Sequence, residues 1–196
     1  MSSFELPPLI GIGGGNGSGK TTVGSERFER TGLPFMDSGD PLRVQAEIEG
    51  KDPEERSNLR DIARRWGEQY KDPAILVKKA LELFGQEAGS VVSVRRVAEA
   101  EYIKKLGGAI IWIEAPIELR HQRVISRARG SSDIKTLEAF IADENKEMYS
   151  TDPSDPFNVH MSGVRDMADF TFNNIAPSEE KSSIEIARTF NLPPKQ

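Results

Sequence analysis

Apolar residues fall in short continuous runs, separated by longer charged stretches in which apolar positions return every three or four residues. Leu9–Gly13 is the first run and ends in glycines, and Leu33–Met36 is the second. Ser90–Val94 and Ala109–Ile113 are β-branched and apolar on both faces, the pattern of strands buried between two helix layers in a parallel sheet. Phe170–Asn173 is a fifth, shorter candidate strand. Helical spacing predicts helices over 20–30, 41–49, 53–70, 73–88, 97–106, 117–129, 134–148 and 178–190. Pro41, Pro53 and Pro73 stand in first turns, where a missing N–H costs little, and Asp52 and Asp72 precede two of them as candidate N-caps. The Pro- and Asp-rich stretch 150–158 reads as a loop. Strands alternating with helices of this length imply βαβ units and a doubly wound α/β domain. The wholly helical stretch from 41 to 88 is expected to form a flap over one end of the sheet.

Composition narrows the chemistry. The chain has 196 residues, which suits one domain spanning 1–196. It has no cysteine, so disulfide frameworks, thiolate metal sites and cysteine nucleophiles are excluded together. With His121 and His160 as its two histidines, a histidine-built zinc site is disfavoured too. The 26 basic against 31 acidic residues leave a net charge of −5, which argues against a broad nucleic-acid-binding face. No apolar run approaches the ~20 residues that span a bilayer, and an acid occupies the N-terminal stretch where a signal peptide is basic. The expectation is a cytoplasmic protein with no membrane or nucleic-acid partner.

The strongest motif is Gly14-Gly15-Asn16-Gly17-Ser18-Gly19-Lys20-Thr21, which fits G-x-x-x-x-G-K-[ST] without mismatch. Glycines let consecutive backbone N–H groups curl around a phosphate, and the helix that follows adds its positive end. Lys20 reaches the terminal phosphates, and the Thr21 hydroxyl is placed for Mg²⁺. The motif follows an apolar run and opens an amphipathic helix, the context in which it binds nucleotide; residues 14–22 are the expected ATP site, with Thr22 closing it.

Other segments exclude some P-loop classes. A guanine-reading N-K-x-D is absent, since Asn145-Lys146-Glu147-Met148 lacks the Asp. Asp37-Ser38-Gly39-Asp40-Pro41-Leu42-Arg43 resembles the S-[TS]-G-D-x-L-R segment of the nucleoside monophosphate kinases, and Val91-Val92-Ser93-Val94-Arg95-Arg96 looks like their next strand with its D-G-x-x-R. Ile110–Pro116 and the helix bearing Arg123 and Arg127 are similar to the family's fourth strand, its [DE]-A-P turn and the R-x-x-x-R helix that enters the lid. Ala168-Asp169 and Asn173-Asn174 resemble the A-D-x-x-[IF]-x-N ending of dephospho-CoA kinase.

The resemblance implies a five-stranded parallel sheet of order 2-3-1-4-5 flanked by helices. It also implies a helical acceptor-binding flap at about 41–88 and a lid-like region at about 123–160. Arg43 and Arg96 would grip the acceptor's phosphate beside Asp37 and Asp40, and Lys20, Arg123 and Arg127 would face the transferring group. Ser93 stands where the family has its Mg²⁺-supporting acid; Asp37 or Asp40, and less well Glu114, are the substitutes. The implied function is ATP- and Mg²⁺-dependent phosphorylation of a phosphorylated, nucleotide-like small molecule: a nucleoside or deoxynucleoside monophosphate, or dephospho-CoA. The alternative, kept open by Ser93, is a nucleotide-binding regulatory protein with little transferase activity. Simpler readings also stand: Arg123 and Arg127 on a surface ion-pair face with Glu114 and Glu118, Trp112 in the core, and Trp66 and Tyr70 packing rather than forming a base platform.

Overall fold

In a computed structural model, residues 4–85, 88–127, 136–149, 152 and 154–195 are described. Five strands, β1 (Leu9–Gly14), β2 (Phe35–Asp37), β3 (Gly89–Val92), β4 (Ala109–Glu114) and β5 (Phe170–Asn173), form one parallel sheet in the order β2-β3-β1-β4-β5. The fold expected from the sequence is the fold observed. β1 and β3 are buried along their whole length, and β4 all but its last residue, which is why these segments carry no polar alternation.

Helix α1 (Lys20–Thr31) packs on one face of the sheet with the last helix, α9 (Glu179–Thr189), around a core of Ile10, Ile12, Ile111, Ile113 and Ile186. The opposite face is covered by α4 (Ile75–Phe84), α5 (Val97–Lys105) and α8 (Met161–Asp166), over Val91, Ile103, Ile110 and Trp112. Trp112 is core, as its strand position implied. Helix α8 has no counterpart in the predicted elements, because six residues are too few for a visible period.

Helices α2 (Asp40–Ile48), α3 (Arg56–Tyr70) and α4 enclose a third, smaller core of Leu42, Ala46, Ile62, Trp66, Ile75 and Leu76. Trp66 is buried in this packet and meets the exposed Tyr70 edge-on at 6.5 Å, so Trp66 packs and its ring is not offered to a base. Asp52 and Asp72 do not cap helices at Pro53 and Pro73. Each accepts from the N–H two residues on, at Glu54 (2.8 Å) and Ala74 (3.0 Å), closing a turn first; α3 and α4 start later, and Glu55 caps α3. Helices α6 (Ile117–Arg127) and α7 (Leu137–Met148) complete the cleft side of the sheet. The predicted helical residues 86–87, 128–129 and 134–135, and loop positions 150, 151 and 153, lie outside the described residues, as does that part of the lid-like region. No helix among the described residues is long and apolar enough to cross a membrane.

Candidate active site

The β1–α1 turn is a cradle held from behind. Gly17 and Gly19 have φ of +77° and +98°. A Cβ on Gly17 would stand 2.4 Å from the Arg120 carbonyl oxygen, and one on Gly19 would stand 2.2 Å from Asn174 Nδ2. Left-handed backbone and close cover together demand glycine at both. Five successive carbonyls of the loop accept side-chain hydrogen bonds. Lys20 Nζ donates to Gly14 and Gly15 at 2.8 Å each, Arg120 to Asn16 at 3.3 Å, Arg123 to Gly17 at 3.5 Å and Asn174 to Ser18 at 2.8 Å. With its oxygens turned back, the loop presents its N–H groups for an anion, apart from that of Ser18, which donates to the Gly15 carbonyl at 3.2 Å. Gly14, Gly15 and Ser18 are buried under this surface, while Asn16, Gly17, Gly19, Lys20, Thr21 and Thr22 line a cavity of about 770 Å³. Ser18 Oγ is buried without a hydrogen-bond partner among the described residues, an unspent hydroxyl inside the loop.

Burial pushes the Lys20 ammonium down to about 7 from its ordinary 10.5. Repulsion from the Arg95 guanidinium adds to this, and the Asp37 and Glu147 carboxylates oppose it. Such a lysine lacks a full counter-ion, which the oxygens of a polyphosphate would supply.

Arg123 and Arg127 line the same cavity. Arg123 also bonds the carbonyls of Asn174 and Ala176 at 3.2 and 3.3 Å, and Arg127 reaches Asn16 Oδ1 at 3.2 Å. Glu114 accepts from Trp112 Nε1 at 2.7 Å. Two contributors were not picked out from the sequence as contacts of the loop. Arg120 lies across it and pairs with Glu144 of α7 at 2.6 Å, both side chains only 10 % exposed. Asn174, the last position of the A-D-x-x-[IF]-x-N pattern, holds Ser18 while accepting from Ser182 Oγ at 3.0 Å.

A second cavity, of about 630 Å³, lies between the α2–α4 packet and α7, with Leu42, Leu59 and Ala63 on one wall and Phe140, Glu147 and Met161 opposite. Asp37, Arg43, Ser93 and Arg95 line both cavities, and so mark where the two meet. Asp37, ending β2, accepts from Ser93 Oγ at 2.5 Å and from the Gly39 N–H at 2.8 Å. Ser93 holds a φ of +65°, rare for a residue with a side chain. Arg43 reaches Asp40 at 2.7 Å, and Asp40 also accepts from the Asp37 N–H. Asp40 therefore shapes the turn and does not line either cavity.

Arg96 lines the second cavity, but its guanidinium bonds Glu99 at 2.9 Å and the Phe157 carbonyl at 2.8 Å. Buried Glu99 also accepts from the N–H groups of Arg95 (2.9 Å) and Arg96 (3.1 Å), a capping box that rigidifies the β3–α5 turn. Of the two adjacent arginines it is Arg95 that borders both cavities.

These residues fit a magnesium-bound nucleotide. No group of three or more His, Asp or Glu able to hold a metal by themselves occurs among the described residues. Mg²⁺ in such sites takes one or two protein oxygens and completes its shell with phosphate and water; Thr21, which is exposed, and Asp37 line the same cavity and would supply that chemistry.

No family model matches the chain. It is 28% identical to a cytidylate kinase of Methanopyrus kandleri, over 78% of this chain and 81% of that protein. It is 30% identical to a UPF0200 protein of Pyrococcus abyssi, over 71% of this chain and 78% of that protein. The chain belongs to the UPF0200 family. Its loop, its strand order and these relatives make it a P-loop protein of the nucleoside monophosphate kinase-like group. A shikimate kinase from Acinetobacter baumannii, solved with shikimate, superposes with a TM-score of 0.56 at 20% identity, covering 94% of this chain and 93% of that one; the likeness shows the fold. In this UPF0200 chain the acid expected at the end of β3 is a serine, and the carboxylate beside it comes from the neighbouring strand.

Proposed function

We propose that the chain is an ATP- and Mg²⁺-dependent phosphotransferase whose acceptor is a phosphorylated, nucleotide-like small molecule. The observation that carries this is the meeting of two cavities at Asp37, Arg43, Ser93 and Arg95, beside the Lys20 loop. A donor in the first cavity and an acceptor in the second would bring their phosphates to that junction. The cytidylate kinase relative supports a nucleoside monophosphate as acceptor.

In this reading residues 14–22 hold the polyphosphate, and the ATP base lies toward α6 and the segment after β5. The α2–α4 packet and the described part of the lid-like region are the parts that close. An acceptor phosphate oxygen attacks the terminal phosphorus as the bond to the ADP oxygen breaks. The acceptor is already an anion, so no general base is required, and positioning with charge neutralisation does most of the work. Mg²⁺, when bound with the nucleotide at Thr21, supplies charge neutralisation between its phosphates. Lys20 neutralises the transferring group, Arg123 and Arg127 flank the donor, and Arg43 and Arg95 hold the acceptor's phosphate. Arg95 takes the part expected of Arg96, whose guanidinium is already committed to Glu99 and Phe157.

Incubation with ATP, Mg²⁺ and a panel of nucleoside monophosphates, deoxynucleoside monophosphates and dephospho-CoA tests the reading. One acceptor should be consumed with stoichiometric ADP, and Lys20→Ala should abolish the transfer. If ATP binds tightly and no acceptor is consumed, the regulatory alternative replaces it. One observation favours a second reading: a carboxylate at the junction, Asp37, is what an uncharged hydroxyl acceptor would need as base. Under that reading Arg43→Ala leaves acceptor KM unchanged; under the first it raises it.

A further inference from the structure

Helix α7 brings Glu144 and Glu147 to one face, a turn apart, and each holds an arginine of the cleft. The two pairs differ in kind. Arg120–Glu144 is nearly enclosed, and Arg120 is fixed further by the carbonyls of Ala115 and Asn16. Arg95–Glu147, at 3.1 Å, has side chains 43% and 45% exposed. The Arg95 backbone is pinned, since its N–H donates to Glu99 and its carbonyl accepts from the His160 N–H at 3.0 Å. A fixed main chain thus aims a guanidinium at the junction of the two cavities, where an exposed carboxylate holds it.

We propose that Glu147 stands in for the acceptor's phosphate on Arg95, so that acceptor loading is an exchange of anions and Glu147 sets which anions are admitted. The inference rests on the phosphotransferase reading and sharpens its substrate class. A water-screened ion pair is weakly held, whereas a phosphate dianion offers Arg95 two oxygens and twice the charge. A terminal phosphate therefore displaces Glu147, and a carboxylate monoanion or a neutral group does not. The resident acid acts as a threshold that rejects weaker anions, which is specificity through a competing repulsive element. Glu147 is accordingly a positioning residue acting through Arg95.

The test uses full-length protein with its phosphate loop saturated by a non-hydrolysable ATP analogue and Mg²⁺. Inorganic phosphate and acetate are titrated in turn, and the backbone amide resonances of residues 93–97 are followed. Glu147→Gln should tighten phosphate about three- to tenfold and admit acetate, narrowing the gap between them. Arg95→Met should remove the response, and the Arg95→Met/Glu147→Gln double variant should show no gain. With the acceptor found by the panel, Glu147→Gln should lower KM, and the Arg95→Met background should remove that gain; a merely structural role would raise KM and lower thermal stability together. Phosphate affinity unchanged by Glu147→Gln, or a gain that survives in the double variant, overturns the proposal. Failure of the ATP analogue to bind at all overturns the phosphotransferase reading as well, so the two failures are distinguishable.

Discussion

Burial holds the Lys20 ammonium near 7 in the nucleotide-free protein, so at pH 8 the side chain is mostly neutral. A bound polyphosphate favours the charged form and raises that value again, so nucleotide binding at pH 8 should draw close to a full proton from solution. Calorimetry in two buffers of different ionisation enthalpy measures this uptake, which Lys20→Met should abolish. The same variant should lower kcat by at least about 10²–10³-fold. It should also flatten the pH dependence of folding. The folded value lies below the ordinary 10.5, so the unfolded chain binds more protons between about 7 and 10.5, and this group's contribution to stability rises with pH across that window. Gly17 makes the complementary steric case. Alanine there meets the Arg120 carbonyl and a left-handed φ at once, and should cost about 1–3 kcal/mol of stability by chemical unfolding, with weakened nucleotide binding.

At the scale of elements, the buried Arg120–Glu144 pair ties α6, α7 and the phosphate loop into one unit. Glu144→Gln leaves an enclosed guanidinium without its counter-charge and should cost about 3–5 kcal/mol in urea unfolding. Nucleotide affinity should fall with it. This tie was not legible in the sequence, because 24 residues separate the partners and no local spacing links them. The loop itself was legible down to each residue, since its chemistry is a matter of consecutive backbone positions. So were the buried strands, whose unbroken apolar character has no other use in a chain of this kind. Arg95 and Arg96 show the limit. The resemblance pointed to Arg96, but which of the two adjacent arginines borders both cavities depends on Glu99, which captures Arg96 at the N-terminus of α5. Asp37 and Ser93 were each singled out, yet their bond joins the end of β2 to the residue just after its neighbour β3, 56 positions apart, which is a property of the sheet order.

For the whole molecule, a net charge of −5 surrounds a cleft where Lys20, Arg43, Arg95, Arg123 and Arg127 converge on two joined cavities. Closure of the α2–α4 packet over a ligand that fills both should shrink the particle. A bisubstrate analogue, two nucleosides joined through a polyphosphate, should reduce the radius of gyration in solution scattering more than ATP alone; equal values would count against the packet as a moving part. The loop at the centre of these motions stands apart from them. Its five carbonyls are tied back by Lys20, Arg120, Arg123 and Asn174 before any nucleotide arrives. A segment so braced has little conformational entropy left to surrender. The encounter with nucleotide should therefore run at a rate set by diffusion and the shedding of water, with slower events reserved for the walls that close around it.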